Sequence, residues 1–199
     1  TAGHIIANVS KSYPIDYPKA GWSEQNPYDW YDACMEGMKE LLDGQDESTV
    51  GGISFGGQMH GLVILDKNDE VIRPAILWND GRTTKQCGCL NEVIGRDKLS
   101  EYTANIAFAG FTAPKILWVK ENEPDNFAKI DKIMLPKDYI AYCLTGVHCT
   151  DVSDASGMLL FDVKNRRWSR QMLDICGVTE AQMPVTMIRL NLVKGVGPT

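Results

Sequence analysis

The sequence predicts an α/β fold in which a mixed sheet is flanked by helices. Two patterns point there. Short runs rich in Ile, Val, Leu and Tyr alternate with segments whose apolar residues recur at helical spacing. Hairpin-like strands come first, so antiparallel and parallel pairing are both expected. The 199 residues, 44% hydrophobic and 23% charged, are ordinary for a globular chain and suffice for one large core. Those figures exclude disordered, collagen-like and coiled-coil chains. No apolar run approaches the roughly 20 residues of a bilayer span.

In order, residues 4–17 read as one or two strands broken by Ser and Pro, and 1–3 as the tip of a hairpin whose first strand is missing. Asn26 and Pro27 open a helix to about Leu42, with Trp30, Ala33, Cys34, Met38, Leu41 and Leu42 on its apolar face. Strands are expected at 50–55, 62–66 and 71–77, with a turn at 67–70. Helices follow at 83–94 and 113–120, a strand at 130–135, and a helix at 137–144 closed by Gly146. Residues 147–151 read as extended, 159–163 as a strand and 169–176 as a helix. No repeat, linker or low-complexity stretch is visible, and 187–199 is left unassigned.

Lys and Arg number 20 against 26 Asp and Glu, a net charge of −6. That balance disfavours general nucleic-acid binding but leaves room for a local anionic substrate. The six cysteines lack a framework spacing, so reduced thiols in the cytoplasm are expected. No signal peptide is recognisable, and the missing initiator Met leaves truncation open.

Several motifs are weak. Residues 52–56, Gly-Ile-Ser-Phe-Gly, match a hydrolase nucleophile elbow at Ser54, but that motif needs a helix to follow and an acid and a His in order. There is no phosphate-binding P-loop and no dinucleotide fingerprint. Cys87 and Cys89 are one residue apart, and Cys143, His148 and Cys149 lie at a helix end, so no metal site is expected. Three segments are more informative. Residues 57–61, Gly-Gln-Met-His-Gly, put Gln58 and His60 in a turn between apolar strands, a pairing that suits sugar hydroxyls, although a structural histidine reads equally well. Residues 78–82, Trp-Asn-Asp-Gly-Arg, mix an indole, a carboxylate and a guanidinium. The alternative there is Asp80 as a helix cap with Arg82 paired to it at the surface. Residues 151–157, Asp-Val-Ser-Asp-Ala-Ser-Gly, are either a ligand loop or an Asx-type turn.

In this order, these segments resemble xylulokinases within the FGGY family of carbohydrate kinases. So do residues 21–27 (Gly-Trp-Ser-Glu-Gln-Asn-Pro), 73–82, 110–115 (Gly-Phe-Thr-Ala-Pro-Lys), 135–139 and 150–157. The resemblance implies an actin-like ATPase, ribonuclease-H-like domain, with residues 1–186 as most of the N-terminal sugar-binding domain. It implies that Met59 and His60 contact the sugar beside Gln58, and that Trp78 and Asp80 border the site. The implied reaction transfers the γ-phosphoryl group of ATP, with Mg²⁺, to the 5-hydroxyl of D-xylulose. The implied partner is a C-terminal nucleotide-binding domain, with a homodimer as an option and neither nucleic acid nor membrane. The family's Asp-x-Gly-Thr-Ser segment and its Gly-Gly-Gly-Asp-Asn segment, which carries the catalytic base, do not occur in these 199 residues. No catalytic, nucleotide or metal residue is therefore assigned here, and the chain alone is expected to be inactive. The other readings are a non-catalytic sugar-binding or regulatory module and a serine hydrolase through Ser54.

Overall fold

The computed structural model describes residues 3–187. After an extended entry, strand β1 (Glu24–Gln25) leads into helix α1 (Pro27–Leu42). The Asn26 side chain accepts from the Tyr28 N–H at 3.2 Å and Pro27 takes the first helical position. Strands β2 (Val63–Leu65) and β3 (Ala75–Ile76) follow. The Asp66 carboxylate turns the chain between them by accepting from the Asn68 and Glu70 N–H groups. Helix α2 (Thr84–Gly88) runs through a π-helical turn (Cys89–Gly95) into α3 (Arg96–Thr103). Helices α4 (Thr112–Asn122) and α5 (Pro124–Phe127) precede β4 (Lys132–Met134) and α6 (Pro136–Thr145). Strand β5 (Cys149–Asp151), helix α7 (Val152–Ser156) and the pair β6 (Phe161–Asp162) and β7 (Arg167–Trp168) come next. Helix α8 (Arg170–Cys176) and β8 (Val185–Met187) end the described chain.

β1 runs antiparallel to β3, a bridge from Leu62 to Ile76 sets β2 beside β3, and β2 pairs antiparallel with β4. β5 and β8 pair in parallel. Both kinds of pairing expected of a mixed sheet are present. Val63, Ile64 and Leu65 are all fully buried, so β2 is covered on both faces. On one face Ile64 and Ile133 pack with Ile116 and Val119 of α4, Met158 and Phe161. On the other, Val63, Leu65 and Met134 pack with Trp30 of α1 and Tyr139 of α6. Helices on both faces of a sheet make this a layered α/β core.

Two expected strands are absent. Residues 4–17 and 50–55 are unpaired apart from the Asp16–Glu24 bridge, and Ile5, Ile6 and Ile53 are 87%, 92% and 61% exposed. Their β-branched residues favour extended backbone, but a ladder needs a partner, and no described segment supplies one. The helix expected over 83–94 passes through the π-helical turn and is interrupted at Gly95, whose φ is +97°; α3 then starts at Arg96 and runs to Thr103. Met187, read as the start of an unassigned tail, lies in β8 opposite Asp151. The rest of that tail lies outside the described residues.

Ile133 is fully buried where β2 meets β4. Ile133→Ala is expected to cost about 2–5 kcal/mol of stability, read from the urea midpoint; a loss under about 1 kcal/mol would mean that this pairing is not the core.

Candidate functional site

Three helix ends converge on the turn at residues 57–61. At the start of α6, the Pro136 ring packs on Gly61 so closely that a Cβ there would lie 2.6 Å from Cγ. At the start of α4, the Thr112 hydroxyl and the Lys115 ammonium donate to the His60 carbonyl at 3.1 and 2.9 Å. At the end of α7, the His60 imidazole lies against Gly157, where any Cβ would overlap the ring. His60 itself has φ +62°, a left-handed conformation that costs a non-glycine residue about 1 kcal/mol or more. The turn is therefore held by its surroundings, which is a mark of functional backbone.

The His60 ring sits 4.8 Å from the Phe111 ring, and Phe108 meets Phe111 edge-on. Its Nδ1 is buried without a hydrogen-bond partner. Burial, and then the Lys115 charge, lower its pKa, so the ring is neutral at pH 7 and can donate or accept. Met59 and Trp78 are about half exposed. The Trp78 carbonyl packs on Gly110, two residues from Thr112. Gln58 is more committed: its amide nitrogen donates to Gln25 Oε1 at 2.9 Å, an oxygen that also accepts from the Trp30 indole.

Asp80 lies beneath this surface. One oxygen accepts from the Ser23 N–H at 2.6 Å and pairs with Arg82 Nη2 at 2.7 Å; the other accepts from the Arg82 N–H and Nε. The expected pairing of Asp80 with Arg82 is present; the cap role and the surface location are corrected, because α2 starts only at Thr84 and both side chains are fully buried. The Arg82 guanidinium stacks on Trp22 at 3.8 Å and Trp118 at 4.9 Å. Glu24 joins it at 2.7 Å and also binds Arg73, which reaches Glu123 at 3.0 Å.

In the segment 151–157 the Asp151 carboxylate accepts from the Ser153 and Asp154 N–H groups, so it caps α7 as an Asx-type turn. Lys137 gathers Asp138, Asp151 and Asp154 at 2.6, 2.8 and 3.1 Å. Burial works to lower the Lys137 pKa, and the three carboxylates outweigh it and raise the value. Ser54 lies in an exposed, irregular stretch, and the strand, turn and helix of a nucleophile elbow are not formed around it. His148 is engaged by the Ile133 carbonyl at 2.9 Å. Among the described residues no three His, Cys, Asp or Glu side chains stand together as metal ligands. An open groove of about 400 Å³ runs along α1 and touches Gly57 and Gln58, but not Met59, His60 or Trp78. Lys115 drew no role from sequence; a lysine in a stretch otherwise as apolar as residues 113–119 was the available signal.

Arg82→Met would strand the buried Asp80 carboxylate and leave Glu24 with Arg73 alone. It is expected to cost about 3–5 kcal/mol in denaturant unfolding, and Arg82→Lys to restore only part, because lysine lacks the flat fork that lies over the Trp22 indole while it pairs with the carboxylates. A loss under about 1 kcal/mol for Arg82→Met would contradict this assignment.

The N-terminal-domain model of the FGGY family of carbohydrate kinases matches residues 1–190. The xylulose kinase of Bacillus subtilis is 46% identical over 179 residues, which are 89% of this chain and 36% of that protein. A crystal structure of a xyloylose kinase from Brucella ovis superposes with a TM-score of 0.83 at 42% identity, over 87% of this chain and 36% of that one. A gluconate kinase from Lactobacillus acidophilus superposes at 0.86 with 28% identity, over 92% and 37%. The chain thus spans little more than a third of these proteins, and its fold is the actin-like α/β fold of sugar kinases. The order of its motifs, the helix-gripped turn and the match over nearly the whole length lead to one conclusion: the chain belongs to the FGGY family of carbohydrate kinases.

Proposed function

We propose that this chain is the sugar-binding portion of a cytoplasmic kinase that transfers the γ-phosphoryl group of ATP to the 5-hydroxyl of D-xylulose. The observation that carries the reading is the turn at residues 57–61, gripped by three helix ends that hold His60 in a left-handed conformation, and presenting Met59 and His60. Phosphoryl transfer depends on positioning the acceptor hydroxyl, and a rigid turn with a neutral imidazole suits that task. In this reading His60 exchanges a hydrogen bond with a sugar hydroxyl, while Met59 and Trp78 cover carbon-bearing faces of the sugar. Gln58 contributes through its free amide oxygen. Asp80 acts from below by tying the backbone that follows Trp78 to Ser23. We assign the sites for ATP and Mg²⁺, and the carboxylate that takes the hydroxyl proton, to the rest of such a kinase. Asp151 and Asp154, occupied by Lys137, are not given that role.

A second reading, a sugar-binding module without catalysis, draws on the fact that the proposed contacts all lie within the described residues. The likeness to a gluconate kinase makes gluconate the sugar to compete against xylulose.

The 199-residue chain, given xylulose and ATP, is expected to form no xylulose 5-phosphate, and steady turnover would contradict the reading. In the full-length protein that carries the chain, His60→Ala is expected to raise the KM for xylulose about tenfold, the equivalent of one lost hydrogen bond in a buried site, with the KM for ATP unchanged. An unchanged KM for xylulose would remove His60 from the sugar site. Tight sugar binding by the chain alone, measured by calorimetry, would favour the second reading.

A further inference from the structure

Lys115 is a wholly buried lysine on α4. No carboxylate pairs with it directly; its ammonium donates to two backbone carbonyls, those of His60 and Gly110. Such a group is costly to bury, and in this position it buys no ion pair. What it does make is a bridge between the His60 turn, which carries proposed sugar contacts, and the Gly110 segment, which packs on the backbone of Trp78. His60 lies in the left-handed turn, and Gly110 packs on the Trp78 carbonyl. We infer that Lys115 is a positioning residue: through its two carbonyl bonds it fixes the His60 turn and holds it at a set distance from the segment bearing Trp78. This rests on the proposal that His60 and Trp78 flank the sugar.

Thr112 supplies an independent second donor to the same His60 carbonyl. One turn of helix therefore presents two donors to one acceptor, more than a carbonyl needs merely to be satisfied. The backbone of α4 is itself anchored, because the Ala113 N–H donates to the Met158 carbonyl beside Gly157. The two supports of His60, under its carbonyl and against its ring, thus belong to one framework.

The groups facing Lys115 are Asp80 and Arg82 from the end of the β3 segment, Cys87 from α2 and His60 from the turn. Burial is the main reason its pKa falls to about 7; Asp80 opposes the fall and Arg82 adds to it. As pH rises through 7 the ammonium becomes an amine, and its charge-assisted bonds become ordinary and weaker. The hold on the turn is therefore strongest below pH 7 and slackens above it.

The test uses Lys115→Met and Thr112→Val in the full-length protein, with crystal structures of both variants and sugar kinetics between pH 6 and 9. Lys115→Met is expected to move His60 out of the left-handed region and to raise the KM for xylulose about tenfold or more, with a smaller effect on kcat. A rise in wild-type KM above pH 7 should be missing in this variant. Thr112→Val should shift KM in the same direction by less. A purely structural lysine would lower the folded fraction, and so the apparent kcat, without moving KM. If both variants keep the His60 turn and a KM within twofold of wild type, the inference is overturned. If Lys115→Met fails to fold, Thr112→Val decides: a raised KM supports the inference and an unchanged one overturns it. If wild type phosphorylates no sugar, the proposed function fails, and the conformation of His60 in the variant structures still decides the role of Lys115.

Discussion

A guanidinium with no access to solvent organises this molecule. Arg82 lies over the indole of Trp22 and beside that of Trp118, which meets Trp22 edge-on, with the Asp80 and Glu24 carboxylates at its edge. Once buried, those charges must remain together, because a lone partner would carry an uncompensated charge in a low-dielectric interior. The pairing therefore fixes three distant stretches of chain: the entry to β1, the end of the β3 segment and helix α4. Arginine suits the place because its flat, delocalised group stacks and forks at once.

The proposed sugar site grows out of that constraint. Asp80 accepts from the Ser23 backbone and turns the chain directly after Trp78. Trp118 lies one turn along α4 from Lys115, so the helix that stacks on Arg82 also reaches under the His60 turn. His60 could not keep its conformation unaided, since φ near +60° is unfavourable for any residue with a Cβ. The strain is localised where hydroxyl recognition is proposed, and the neighbouring helix ends meet its cost. The Lys137 cluster does for α7 what Arg82 does for α4: it neutralises the acidic cap at Asp151 and draws α6 and α7 together beside the same turn.

Much of this was legible from the chain. Asn26, Pro27, Gly146 and Ser169 mark helix ends by local chemistry, and the structure uses each of them so. The run at 62–66 was a strand on composition alone, because burial on both faces favours an unbroken apolar series. The strands expected at 4–17 and 50–55 show the limit of that logic, since pairing depends on a partner that local composition does not describe. The glycines and His60 of residues 57–61 marked the candidate sugar site. The burial of Arg82 and Lys115 did not show, because charged residues are usually at the surface and only the tertiary arrangement of two tryptophans and two carbonyls makes an interior place for them. Asp80 belongs to the same class: its pairing with Arg82 was visible, but the burial of that pair and its hold on the Ser23 backbone were not.

The central claim is that the turn at residues 57–61 is where sugar binds. A crystal structure of the full-length protein with D-xylulose tests it most directly. The account predicts the sugar against Met59 and His60, with a hydroxyl within about 3 Å of the imidazole and an apolar face toward Trp78. Sugar found instead in the groove along α1, lined by Trp30, Cys34 and Met38, would contradict it.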